Sequence, residues 1–229
     1  MADKTKKALC AVNLMLTVFT AVMCFVYRAN YSIVLKAVTA SGFVLMGAVN
    51  LGYTFFAKKK ILFPLLIFFG LSLCMAGDVV LFNDFIAGAL IFVLGHLLYI
   101  AAYCVLCKPA WRDVIVTVAV SLVSVLFVTL YPAFSYGSFL MTAVAVVYAL
   151  VISFMLGKAL SNAIRSKDGV SLTLLAGSVM FFVSDLALAF SIFGGDPSWA
   201  SPLCMFTYFP GQCVIAFSVY LYNIKKQLP

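Results

Sequence analysis

The stretch Ser72–Phe82, SLCMAGDVVLF, places one carboxylate, Asp78, among Leu, Cys, Met, Ala and Val, with no basic residue for several turns. Read outward, it closes an apolar run over residues 61–81 that carries no other charge. Runs of this kind recur along the whole 229-residue chain, which is 66% hydrophobic and only 10% charged, with a mean hydropathy of +1.17. A soluble domain is about half apolar and about a quarter charged, so this chain has too little polar surface for a water-facing globule. Apolar runs of about 18 residues or more read as transmembrane helices.

Eight spans follow, at approximately 9–27, 32–56, 61–81, 85–106, 114–131, 138–158, 171–193 and 203–223. Loop chemistry separates them: Lys58-Lys-Lys, Asn83-Asp84, the segment 108–113, Tyr131-Pro132, the segment 161–169, and Gly194-Gly-Asp-Pro. The first run follows Lys4, Lys6 and Lys7 and lacks a small-residue cleavage site, so it reads as a retained span. No linker is long enough to divide the chain, and residues 1–229 are expected to form one all-α transmembrane domain. With alternating loops, thirteen of the fifteen basic residues fall on one side; the others are Arg28 and the intramembrane Lys36. That asymmetry places both termini in the cytosol. The charge of +8 thus belongs to membrane-flanking loops and implies no nucleic-acid partner. Cys104 and Cys107 form a CxxC without a second pair, so no metal or redox centre is expected.

All seven acidic residues are Asp. Asp3, Asp113, Asp168 and Asp196 read as solvated terminal or loop charges, and Asp84 as interfacial. Asp78 and Asp185 lie within spans, where ionisable residues usually face the bundle interior and mark function. Helical periodicity puts Gly70, Cys74, Gly77 and Asp78 on one face, and Gly88, Phe92, Gly95, His96, Tyr99 and Tyr103 on another. It also groups Gly177, Phe181, Ser184 and Asp185, and Tyr208, Gly211, Gln212 and Ile215. Small residues beside polar ones allow close helix approach and hydrogen bonds across it. GLSLCMAGD (70–78) and GSVMFFVSD (177–185) share a Gly eight places before the Asp, which suggests two four-span halves in a parallel repeat. Depth counting brings the polar residues together in the non-cytosolic half of the bilayer.

One His cannot supply a three-His zinc site, no GxSxG occurs, and Met75 breaks the Gly-x-Gly-Asp of intramembrane aspartyl proteases. Two chemistries remain: carboxylate acid/base catalysis, or a proton- or cation-coupled transport or lipid-binding site. GDVVLF, FIAGALIFVLGHLLYIAAY, GSVMFFVSDLALAF and YFPGQCVIAFS resemble the successive motifs of the YhhN-like lysoplasmalogenase family, in order from Lys36 to Ser218. The resemblance implies an eight-helix bundle with no cofactor. It also implies hydrolysis of the vinyl ether bond of lysoplasmalogens, membrane lysophospholipids, to a fatty aldehyde and a glycerophospho-alcohol. Asp185 is then expected as the acid and Asp78 as the anion that orients water. Lys36, His96, Tyr99, Ser184, Tyr208 and Gln212 are expected as positioning residues, with Lys36 meeting phosphate at the cavity mouth.

Overall fold

The computed structural model describes residues 2–225, with side chains from Lys4 onward. It contains α1 (Ala2–Ala29), α2 (Ile33–Phe56), α3 (Leu62–Leu81), α4 (Phe85–Leu106), α5 (Trp111–Leu130), α6 (Phe139–Ser166), α7 (Gly169–Phe193) and α8 (Ala200–Ile224). Each is long and apolar enough to cross a bilayer, and the chain is an integral multi-pass membrane protein. The side chain of Asp3, and Lys226 with the rest of the tail, lie outside the described residues.

Four helices start where a short polar side chain can take an otherwise orphaned amide. Ser32, Asp84, Ser138 and Asp168 accept from the backbone N–H of Leu35, Ala87, Met141 and Ser171. The expected alternation of ends is present. At the basic end, Lys59 Nζ donates to the carbonyls of Tyr222 and Lys225, and the Tyr222 hydroxyl donates to that of Lys60. At the opposite end Tyr31 stacks on Phe82 at 5.3 Å and Phe85 meets Phe193 at 5.7 Å.

Two acidic residues and one loop depart from the sequence reading. Asp113 is buried rather than solvated. It accepts from Lys158 Nζ at 2.6 Å, from Ser161 Oγ, from Arg165 Nη1 at 3.2 Å and from the Ala110 amide at 2.9 Å. The same partners let α6 continue to Ser166 where a loop from 161 was expected, because Ser161, Asn162 and Arg165 each find a bond across the bundle. Asp168 caps α7 and pairs with Lys225 at 2.7 Å. Partial burial works against its ionised form, but the Lys225 and Ser171 bonds outweigh it and hold the carboxyl below the usual range. Asp196 stays exposed in its loop, as expected, and accepts from Ser191 Oγ at 2.6 Å.

Interhelical polar bonds tie the first half to α8. Asn13 and Asn50 exchange side-chain hydrogen bonds, while Thr54 donates to Asn223 and Asn223 donates to the Asn50 carbonyl. In lipid, where apolar surface gives no preference for helix over solvent, such bonds and close packing hold helices together.

The packing repeats between halves. A β-carbon built on Gly95 would lie 3.3 Å from the Gly70 carbonyl, and one on Gly211 would lie 3.4 Å from the Gly177 carbonyl. Likewise α1–α2 matches α5–α6, α2–α3 matches α6–α7, and α2–α8 matches α6–α4. The match then fails. Helix α8 also packs on α1 and α3, but among the described residues no Cα of α4 comes within 8 Å of one in α5 or α7. Among the described helices the α5 backbone comes close to that of α6 alone, and a gap opens beside it.

The α3–α4 hairpin is closed by Gly88, where a β-carbon would lie 2.5 Å from the Leu81 Cα. Backbone cannot yield as a flexible side chain would. The Gly88→Ala protein should lose about 1–3 kcal/mol or more of stability, read as a lowered thermal unfolding midpoint in detergent.

Candidate functional site

The expected site residues assemble into three adjoining groups. In the first, Lys36 Nζ of α2 lies 3.1 Å from Asp78 Oδ1 of α3, and the Tyr208 hydroxyl of α8 donates to Asp78 Oδ2 at 2.7 Å. In the second, the Tyr148 hydroxyl of α6 donates to Asp185 Oδ2 of α7 at 3.0 Å, with His96 Nε2 of α4 at 3.9 Å from the same oxygen. In the third, the Tyr99 hydroxyl donates to Gln212 Oε1 at 2.7 Å. Ser184 instead donates to the Phe181 carbonyl, a turn of its own helix.

Local sequence explains these positions. Gly70 lets the Tyr99 ring lie against α3, where a β-carbon would come within 2.4 Å of it. Gly77 similarly admits the Phe92 ring beside Asp78. Pro210 interrupts α8 between Tyr208 and Gln212; lacking an N–H, it leaves the Phe206 carbonyl without its helical donor. Aromatic rings then fill the space between the two aspartates: His96 on Phe181 at 4.6 Å, Phe181 on Tyr208 at 5.3 Å, and Phe92 on Tyr208 at 6.0 Å.

A cavity of about 270 Å³ lies between α4, α5, α6 and α7, in the gap where the repeat fails. Its walls include Phe92, Phe127, Tyr148, Phe182 and Phe193, and of the expected site residues it is lined by Asp185 alone. The Asp185 side chain is 11% exposed and that of Asp78 only 3%. The two carboxylates therefore differ in kind. Asp78 is clamped by an ammonium and a phenol behind aromatic rings. Asp185 faces the cavity, and among the described residues its basic neighbour within 4.0 Å is a histidine.

Two expectations change. Lys36 does not stand free at a cavity mouth; its ammonium is held by Asp78. Asp78 does not reach the cavity that Asp185 lines. Tyr148 was missed in the sequence because it sits singly in a nearly all-apolar run, and its isolation there was the signal. The buried side-chain nitrogens without a hydrogen-bond partner among the described residues are both ring nitrogens of His96 and Gln212 Nε2. Each belongs to the residue after a contact glycine, Gly95 or Gly211. Cys107 Sγ lies 2.9 Å from Ser166 Oγ.

Fold and site thus define an eight-helix membrane protein with aspartates 78 and 185 inside its bundle in unlike surroundings, one of them open to an intramembrane cavity. The YhhN family model matches residues 31–219, a segment that contains every one of these site residues, and the chain belongs to the YhhN family. The human protein named lysoplasmalogenase TMEM86A is 32% identical over 160 residues, covering 66% of this chain. The matched region spans 64% of that relative's length. No solved structure matches the chain.

Removing one partner of a buried ion pair strands the other charge at a cost of about 3–5 kcal/mol, whereas removing both is often nearly neutral. Lys36→Met should therefore lower the unfolding midpoint sharply, and Lys36→Met with Asp78→Asn should recover most of the loss. Additive losses in that double-mutant cycle would contradict the pairing.

Proposed function

We propose that the protein is a membrane-embedded hydrolase that cleaves the vinyl ether bond of lysoplasmalogens, releasing a fatty aldehyde and a glycerophospho-alcohol. The observation that carries this reading is Asp185: a carboxyl in the wall of an apolar cavity, bonded to a phenol and free of any lysine or arginine partner among the described residues. The family membership and the named activity of the human relative support the same reading.

The chemistry assigns the roles. A vinyl ether is cleaved by protonation of its β-carbon, which converts the α-carbon and ether oxygen into an oxocarbenium ion. Asp185, as the neutral acid, donates that proton, and Tyr148 holds the carboxyl toward the cavity. Water then adds to the α-carbon. The 3.9 Å between His96 Nε2 and Asp185 Oδ2 is too long for a direct hydrogen bond and suits one water touching both. The water gives its second proton back to the Asp185 carboxylate, and the resulting hemiacetal collapses to aldehyde and alcohol. The sum is one vinyl ether plus one water, with Asp185 returned to its acid form; no cofactor enters. Asp78, with its charge balanced by Lys36, acts through Tyr208 and the aromatic rings to position this chemistry. The pairing also weighs against a cation-coupled transporter that uses both aspartates, since Asp78 is already neutralised by Lys36.

The test is an aldehyde assay on purified protein in nanodiscs with a 1-alkenyl lysophosphoethanolamine. Wild type should release aldehyde, and Asp185→Asn should lower the rate by about 10²–10⁴, the usual worth of a general acid. No aldehyde from folded wild type would overturn the hydrolase reading. A fully active Asp185→Asn enzyme would overturn the role of that residue.

A further inference from the structure

We propose that the cavity between α4, α5, α6 and α7 is a subsite for one aliphatic chain bearing an uncharged ether head, and that the phosphate of a lysolipid is not recognised there. The inference rests on the hydrolase reading for its ligand class and on the cavity for its content.

Charge comes first. No lysine or arginine is among the lining residues. Three cations that reach into the bundle are committed elsewhere: Lys36 to Asp78, and Lys158 and Arg165 to Asp113. The polar side chains of the wall are also committed. Tyr148 donates to Asp185, Tyr136 to the Val128 carbonyl at 2.5 Å, and Ser124 to the Val120 carbonyl at 2.9 Å. A phosphate inside would meet a carboxyl and hydrocarbon, and an ion buried without a partner is among the costliest arrangements in a protein. An ether oxygen and a hydroxyl carry no such penalty.

Depth points the same way. Along α7 the lining runs from Phe182 to Phe193, with Asp185 three residues from its inner limit and eight from its outer one. At about 1.5 Å per residue, the acid lies roughly 12 Å inward from Phe193. The limb between them is walled by hydrocarbon and aromatic side chains, including Phe85, Ala189 and Ile192. Size agrees as well. The volume of about 270 Å³ falls just below the range of ~300–1,000 Å³ typical of pockets that enclose a drug-sized ligand. It suits a chain with a small head better than a whole lysophospholipid. Alanines at 145, 149 and 189 keep the limb open.

Non-hydrolysable saturated ethers test this without reference to turnover. Titration calorimetry on the purified protein in nanodiscs would compare 1-hexadecylglycerol, 1-octylglycerol and 1-hexadecyl-lysophosphocholine. Wild type should bind hexadecylglycerol at least as tightly as its phosphocholine counterpart. Ala189→Phe, and the milder Ala145→Leu, should weaken hexadecylglycerol and octylglycerol each by about tenfold (1.4 kcal/mol), because residue 189 lies only about 6 Å along the limb from Asp185. Thermal unfolding identifies whichever variant remains folded. A phosphocholine ether bound tenfold more tightly than the neutral one would overturn the proposal. So would unchanged hexadecylglycerol binding in the folded variants. Because no bond is cleaved, such a result leaves the hydrolase reading standing, and an inactive protein that binds the neutral ether leaves the subsite standing.

Discussion

Two glycine-lined helix contacts hold the rest in place. Between α3 and α4 the backbones meet at Gly70 and Gly95, and between α7 and α8 at Gly177 and Gly211. Lipid gives helices no hydrophobic reason to associate, so close packing and the polar bonds it permits must supply the drive. Each contact also fixes the register of its hairpin. Once Gly70 and Gly177 are set, Asp78 and Asp185 stand at matching heights, and His96 and Gln212 follow the glycines of the facing helices.

The two halves then diverge, and the site depends on the divergence. In the first half α1 packs on α8, and Lys36 reaches Asp78, so the space around that carboxylate is filled and neutralised. In the second half the α5 backbone approaches that of α6 alone among the described helices, anchored at the basic end by the buried Asp113 cluster. Toward the other end it meets α7 through Phe127 and Phe190 at 6.2 Å. The opening left between these contacts is the cavity, with Asp185 in its wall. A repeat that was kept in the hairpins and lost around them yields one carboxylate that holds helices and one that faces a cavity.

The economy of buried polar groups sharpens the contrast. Asn13, Asn50, Thr54, Asn223, Asp113 and Lys158 all find partners within the protein, as groups buried in a low-dielectric interior must. The His96 ring and the Gln212 amide nitrogen are exceptions among the described residues, as are the hydroxyls of Ser121 and Ser153 and the side-chain oxygen of Asn162. Leaving such groups unmatched costs roughly 1–3 kcal/mol each. A place kept for water is one physical reason to bear such a cost.

Much of this was legible in the sequence. Hydropathy and the placement of lysines and arginines determine eight helices and their alternation, because lipid accepts only long apolar helices and basic residues stay on one face. Gly-x7-Asp spacing and helical periodicity also marked Asp78, Asp185, His96, Tyr99, Tyr208 and Gln212 as inward-facing. What a linear reading could not decide was pairing. Lys36 looked free because its partner lies 42 positions on, and Asp113 looked solvated because Lys158 and Ser161 arrive only when α5 and α6 pack. Tyr148 carried no pattern of its own. Which aspartate meets a cation and which meets a cavity is set by how far the α4 backbone stands from those of α5 and α7. That is a property of helix placement, to which local periodicity is blind.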